Sequence, residues 1–124
     1  MIISTYAALL AFYYIYLSFN VINVRRAAQI SLGEGENPQL QRAIRAHGNF
    51  MEYVPFAIIL LFLAEYQGLA SHYCYALGAM LLIGRVFHNF GIVEKNLKYR
   101  QIGVIATFLT MLISALVILL TRFS

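Results

Sequence analysis

The stretch "RAHGNFMEYVP", Arg45–Pro55, runs directly into "FAIILLFLA", Phe56–Ala64. The second piece is apolar enough for hydrocarbon, whereas the first carries Arg45, His47, Asn49 and Glu52, groups that cost free energy to bring near lipid. Strands of a membrane barrel are about 10 residues long and alternate apolar with polar positions. "FAIILLFLA" and "MLISALVILL", Met111–Leu120, do not alternate, so they read as helices.

Outward from that stretch, 61% of the 124 residues are hydrophobic and 11% are charged, and the mean hydropathy is +0.73. That is too apolar for a soluble domain of this size. A helix crossing the roughly 30 Å hydrocarbon core needs about 20 apolar residues. Four windows qualify: Ile2–Ile22, Phe50–Tyr66, Tyr73–Phe90 and Gly103–Leu120. The expected architecture is an all-α integral membrane protein, a bundle of four transmembrane helices forming one domain over residues 1–124.

The first window has no basic residue ahead of it, and "SFNVINVRR" offers no small-x-small cleavage site, so it reads as a retained helix and not a secretory signal. Cys74 is the single cysteine, which excludes an intramolecular disulfide and leaves a small apolar residue on the third helix. The net charge of +4 comes from basic residues beside the membrane segments. Orientation and anionic headgroups account for it better than nucleic acid does, and no metal site is expected.

In "SLGEGENPQLQ", Asn37 followed by Pro38 predicts an N-cap and first helical residue. The second helix should then run from about Pro38 to Tyr66, bent at Pro55 by the backbone hydrogen bond that proline cannot make. Arg25, Arg26, Arg42, Arg45, Lys95, Lys98 and Arg100 fall on one side of the membrane, and only Arg122 on the other. The positive-inside bias puts the first and third loops in the cytoplasm and both termini outside.

The polar residues lie in stripes. Arg42, Arg45, Asn49 and Glu52 are spaced 3, 4 and 3 apart, which gives one narrow face. Arg85 and His88 share a face of the third helix, continued by Ile92 and Lys95, with Asn89 at its edge. Arg100 opens the fourth helix, and Gly103, Thr107 and Ser114 follow up one side. Spacing alone leaves two readings open. Either Glu52 closes a structural ion pair with Arg45 or Arg85 while Arg42, Lys95 and Lys98 anchor in headgroups, or the stripes converge on a ligand. Four arginines against one carboxylate leave an anion missing, and guanidinium forks favour carboxylates and phosphates. A ligand that also offers an amine to Glu52 would complete the set.

The pattern Arg-x-His-x-Asn-x-x-Glu-x-x-Pro in "RAHGNFMEYVP" resembles the signature of the MAPEG family, membrane-associated proteins in eicosanoid and glutathione metabolism. "GRVFH" on the third helix and "YRQIG" entering the fourth extend the likeness over the chain, especially toward small bacterial members of the inner membrane. The resemblance implies a homotrimer of four-helix subunits with glutathione bound between neighbours near the cytosolic side. It implies that Arg45, Asn49 and Glu52, with Arg42 on the same stripe, bind glutathione together with Arg85 and His88. Arg100 is implied to stand at the thiol. A hydrophobic or lipid-like second substrate would enter from membrane lipid along a groove beside helices one and four. His47 reads as a packing or inter-helix hydrogen-bonding group. Ile92 and Val104 replace aromatic residues of the family, Gly48 stands where some relatives carry an arginine, and Asn23 falls near another arginine position. Fewer ligand contacts are expected in consequence.

The resemblance implies a membrane-bound glutathione S-transferase, with glutathione peroxidase activity as a variant of the same chemistry. The alternative is a non-catalytic binding protein for lipid or fatty acid. A transporter is disfavoured, since one acidic residue lies in the stripes and no helix is broken by paired glycine and proline.

Overall fold

The computed structural model of the chain describes residues 1–122 apart from the side chain of Arg122. That side chain, the lone cation counted on the opposite side, lies outside the described residues. Four helices run in order, α1 Ile2–Ala28, α2 Pro38–Tyr66, α3 Ser71–Val93 and α4 Leu97–Arg122. All four are long and apolar enough to cross a membrane. The chain is a four-helix membrane bundle.

The helices extend past the apolar windows, because hydropathy registers only the part that faces hydrocarbon. Asn37 caps α2 as expected, its side-chain oxygen accepting from the Leu40 N–H at 2.9 Å, with Pro38 in the first turn. Asn96 does the same for α4, accepting from the Tyr99 N–H at 3.2 Å. The 29 residues of α2 continue through Pro55, a span of about 43 Å at helical rise. One end of this helix therefore projects beyond the hydrocarbon.

Lipid supplies no hydrophobic force between helices, so close packing must come from small residues. A Cβ on Gly84 would sit 2.7 Å from the Ala106 Cβ, and one on Gly103 would sit 2.5 Å from the Gly84 carbonyl oxygen. These glycines let α3 and α4 make the tightest pair in the bundle, as their spacing allows. Gly78 likewise admits the Tyr6 ring and seats α1 on α3. Among the described residues α2 and α3 each touch all the other helices, whereas α1 and α4 do not meet. Leu10, Leu17, Phe50, Leu61, Leu77 and Leu81 are buried between them. Phe12, Phe19, Phe56, Ile105 and Leu112 face outward, as lipid-facing residues do.

Two polar contacts tie α1 down. His47 Nε2 and Ser18 Oγ lie 3.0 Å apart, and the His47 ring stacks on Tyr14 at 4.8 Å. His47 is thus an inter-helix hydrogen-bonding group. At the opposite end, Glu65 accepts from the Ile2 and Ile3 N–H groups at 2.9 and 3.2 Å. It satisfies donors that the first turn of α1 cannot pair internally.

Candidate functional site

The α1 C-terminus, both ends of the α3–α4 turn and the α2 N-terminus share one end of the bundle. There a recess of about 370 Å³ is lined by Gln41, Arg42 and Arg45 of α2, Gly91 and Ile92 of α3, Lys95 of the turn, and Leu97 and Arg100 of α4. Four cations and no carboxylate face this space. Among the described residues none of the four makes a side-chain hydrogen bond or ion pair. The first turns of α2 and α4 both open here, and their dipoles add to the preference for negative charge. Gly91 sets the position of Arg100, because a Cβ at residue 91 would run into the Arg100 backbone, its Cα at 2.8 Å.

Arg85 is elsewhere. Its side chain is 2% exposed and is held between three helices. It donates to Asn49 Oδ1 of α2 at 2.7 Å and to Thr107 Oγ1 of α4 at 3.3 Å, and it lies 3.3 Å from His88 Nδ1 of its own helix. The guanidinium also stands over the Phe50 ring, 5.9 Å from its centroid. Its Nε has no partner. Among the described residues neutral groups, and no acid, surround this buried charge. His88 joins the two regions by position, lying 3.3 Å from Arg85 and one turn before Ile92 of the recess wall.

The stripes therefore divide. Arg42, Arg45 and Arg100 come together at the recess, while Asn49, Arg85 and His88 form an internal network beneath it. Glu52 is exposed, two turns along α2 from Arg45, and does not line the recess. Among the described residues it closes no ion pair with Arg45 or Arg85. Ile92 lines the recess as an aliphatic wall.

The sequence puts Lys95 on the stripe of Arg85 and His88 and leaves it open between a headgroup anchor and a ligand site, and its stripes do not include Gln41. The signal for Gln41 was its place one residue before Arg42 in the first turn of a helix whose start was already readable. For Lys95 it was the loop itself, which has to carry its side chain past the end of α3.

A second groove, about 440 Å³, runs along α4 and is lined by Leu97, Arg100, Gln101, Val104 and Ile105. It shares Leu97 and Arg100 with the cationic recess. A polar, anion-seeking space and an apolar one thus meet at one guanidinium.

Comparison with known proteins bears on this arrangement. The sequence matches the model of the MAPEG family over residues 3–120. It is 34% identical over 116 residues to the inner membrane protein YecN of Escherichia coli strain K12, covering 94% of this chain and 88% of that protein. The YecN protein of Escherichia coli O6:H1 strain CFT073 matches over the same lengths at the same identity.

Proposed function

From the premise that the chain belongs to the MAPEG family, we propose that it is a glutathione S-transferase of the bacterial inner membrane, acting on hydrophobic electrophiles. The observation that carries this reading is the meeting of the cationic recess with the α4 groove at Arg100. Glutathione brings two carboxylates and one ammonium, and Arg42, Arg45 and Lys95 offer the carboxylates their partners. A free thiol of pKa about 8.5 is mostly protonated at neutral pH, and a nearby cation favours the thiolate. Arg100, which lines both spaces, is the candidate for this role. An apolar electrophile in the α4 groove then lies beside the sulfur. The thiolate attacks its electrophilic carbon, a C–S bond forms, and the leaving group departs with the electron pair of the bond that breaks. With a lipid hydroperoxide the same thiolate attacks oxygen, and a second glutathione completes the reduction to alcohol, water and glutathione disulfide.

A homotrimer belongs to this proposal. Within one chain α1 and α4 do not touch, so a groove bounded by both requires α1 from a neighbouring copy. That neighbour would also cover the recess and bring polar groups toward the exposed Glu52, the candidate partner for the ammonium. We infer from the positive-inside bias of the basic residues at this end that the site faces the cytoplasm and both termini the periplasm.

The test uses purified protein in detergent. Glutathione should produce the ultraviolet absorption band of a bound thiolate and support conjugation of an aryl halide. Arg100→Gln should remove the band and lower kcat by about 10² to 10³, the usual effect of deleting one stabilising donor. Neither band nor conjugation in the unaltered protein would refute the transferase reading. Uptake of fatty acid by such inactive, delipidated protein would establish the binding protein instead. One observation favours that second reading: Asn49, Arg85 and His88 are already engaged with one another.

A further inference from the structure

Lys95 lines the recess, and its backbone is held at φ 55°, in the left-handed region that glycine enters most readily. The local geometry explains why. The Lys95 N–H donates to the Ile92 carbonyl at 3.4 Å and the Asn96 N–H to the Gly91 carbonyl at 2.8 Å, closing α3 with the paired bonds whose central residue is usually glycine. Gln29 is its counterpart at the end of α1. It has φ 56°, with Gln29 N–H donating to Arg26 O at 3.3 Å and Ile30 N–H to Arg25 O at 3.1 Å, but it lies outside the recess lining. The two turns carry the same backbone strain, and only one of them brings its side chain to a recess where three other cations converge.

Glutathione in its reactive form has three anionic groups, two carboxylates and a thiolate. With Arg100 at the sulfur, the carboxylates fall to Arg42, Arg45 and Lys95. We propose that Lys95 pairs with one glutathione carboxylate at the α3–α4 turn, an affinity-determining contact that leaves Arg100 free for the sulfur. This inference rests on the reading that glutathione occupies the recess. It assigns to the strained turn a purpose that glycine, the conformationally easier residue, would not serve.

Three variants of the full chain test it in detergent: Lys95→Gly, Lys95→Gln and Gln29→Gly. Both glycine variants should raise Tm by about 3 °C through relief of the left-handed strain. Only the Lys95 variants should weaken glutathione, raising Kd and KM by about threefold to fivefold, the range of a solvent-accessible ion pair, with kcat unchanged. Unchanged affinity in both Lys95 variants would overturn the proposal. So would a fall in kcat without a rise in KM, which would place Lys95 at the sulfur. Inorganic pyrophosphate separates this from failure of the glutathione reading. If the unaltered protein ignores glutathione but gains Tm with pyrophosphate, and Lys95→Gly loses most of that gain, Lys95 stands as the anion contact and only the ligand's identity falls. Equal pyrophosphate responses in all proteins, or none in any, would sink the Lys95 assignment.

Discussion

The network around Arg85 makes an asymmetric prediction about stability. Asn49→Leu removes the acceptor at 2.7 Å while leaving the guanidinium buried at 2% exposure. The remaining contacts are long, 3.3 Å to Thr107 and 3.3 Å to His88, and Nε already lacks a partner. Losing a hydrogen bond to a buried charge costs about 1.5–3 kcal/mol, so Asn49→Leu should destabilise by about 2–3 kcal/mol. Arg85→Met removes the charge itself and fills the same volume with an unbranched chain. Thr107 Oγ1 keeps its own bond, donating to Gly103 O at 2.9 Å, and Asn49 is only half-buried and can turn to water. Replacing both partners of a buried polar contact is often nearly neutral, so Arg85→Met should cost no more than about 1 kcal/mol. In the Arg85→Met background Asn49→Leu should be close to silent, giving a coupling of about 2 kcal/mol between the sites. Unfolding of the four proteins by denaturant titration in mixed micelles measures the cycle. Additive effects, or a larger loss for Arg85→Met than for Asn49→Leu, would refute the account of Arg85 as a buried charge held by neutral acceptors.

Two further perturbations address how the helix starts are held, one at the site and one at the opposite end of the bundle. Gly91→Ala puts a methyl group against the Arg100 backbone, where contacts of 2.8 Å to Cα and 2.9 Å to Cβ force the start of α4 to retreat by about 1 Å. Overpacking of this kind costs about 1–3 kcal/mol and a misplacement of that size about 10² in rate, so conjugation should fall far more than Tm does. Glu65→Gln keeps one acceptor for the Ile2 and Ile3 amides but removes the charge that complements the α1 dipole. A loss of about 1–2 kcal/mol, with faster hydrogen exchange confined to the first turn of α1, is the expected result. Unaltered exchange there would show that Glu65 is not the cap.

The fold was legible because its two determinants are local. Apolar length marks a membrane helix, and Asn37 with Pro38 marks where α2 begins, to the residue. His47 could be read as an inter-helix group from its place off the stripe formed by Arg45 and Asn49. What spacing could not supply was depth. Arg45 and Asn49 share a stripe one turn apart, yet Arg45 opens into the recess and Asn49 turns inward to Arg85, because the neighbouring helix, not the wheel, decides what each position meets. Gly103, Thr107 and Arg100 lie on one side of α4 as read, but Gly103 and Thr107 are buried against α3 while Arg100, at the helix start, passes the end of it. Glu65 was illegible for another reason. Its partners are backbone amides 62 and 63 residues away, and no side-chain pattern announces an amide.

That division of the arginines has a consequence for how charge is used. Arg85 is held by neutral groups among the described residues and lies beneath the recess without lining it. The recess cations are the reverse: partly or fully exposed, without side-chain partners among the described residues, and carried to one space by α2, α4 and the α3–α4 turn. Like charges about 4 Å apart repel by about 4 kcal/mol at an effective dielectric of 20, and by less where water screens them. An anion entering the recess therefore gains attraction and removes repulsion at once, while the network beneath stays intact. The surplus of cations over acids that spacing revealed is thus concentrated where a ligand can reach it, and under the proposed function Arg100, shared with the apolar groove, is where that binding energy would be turned to chemistry.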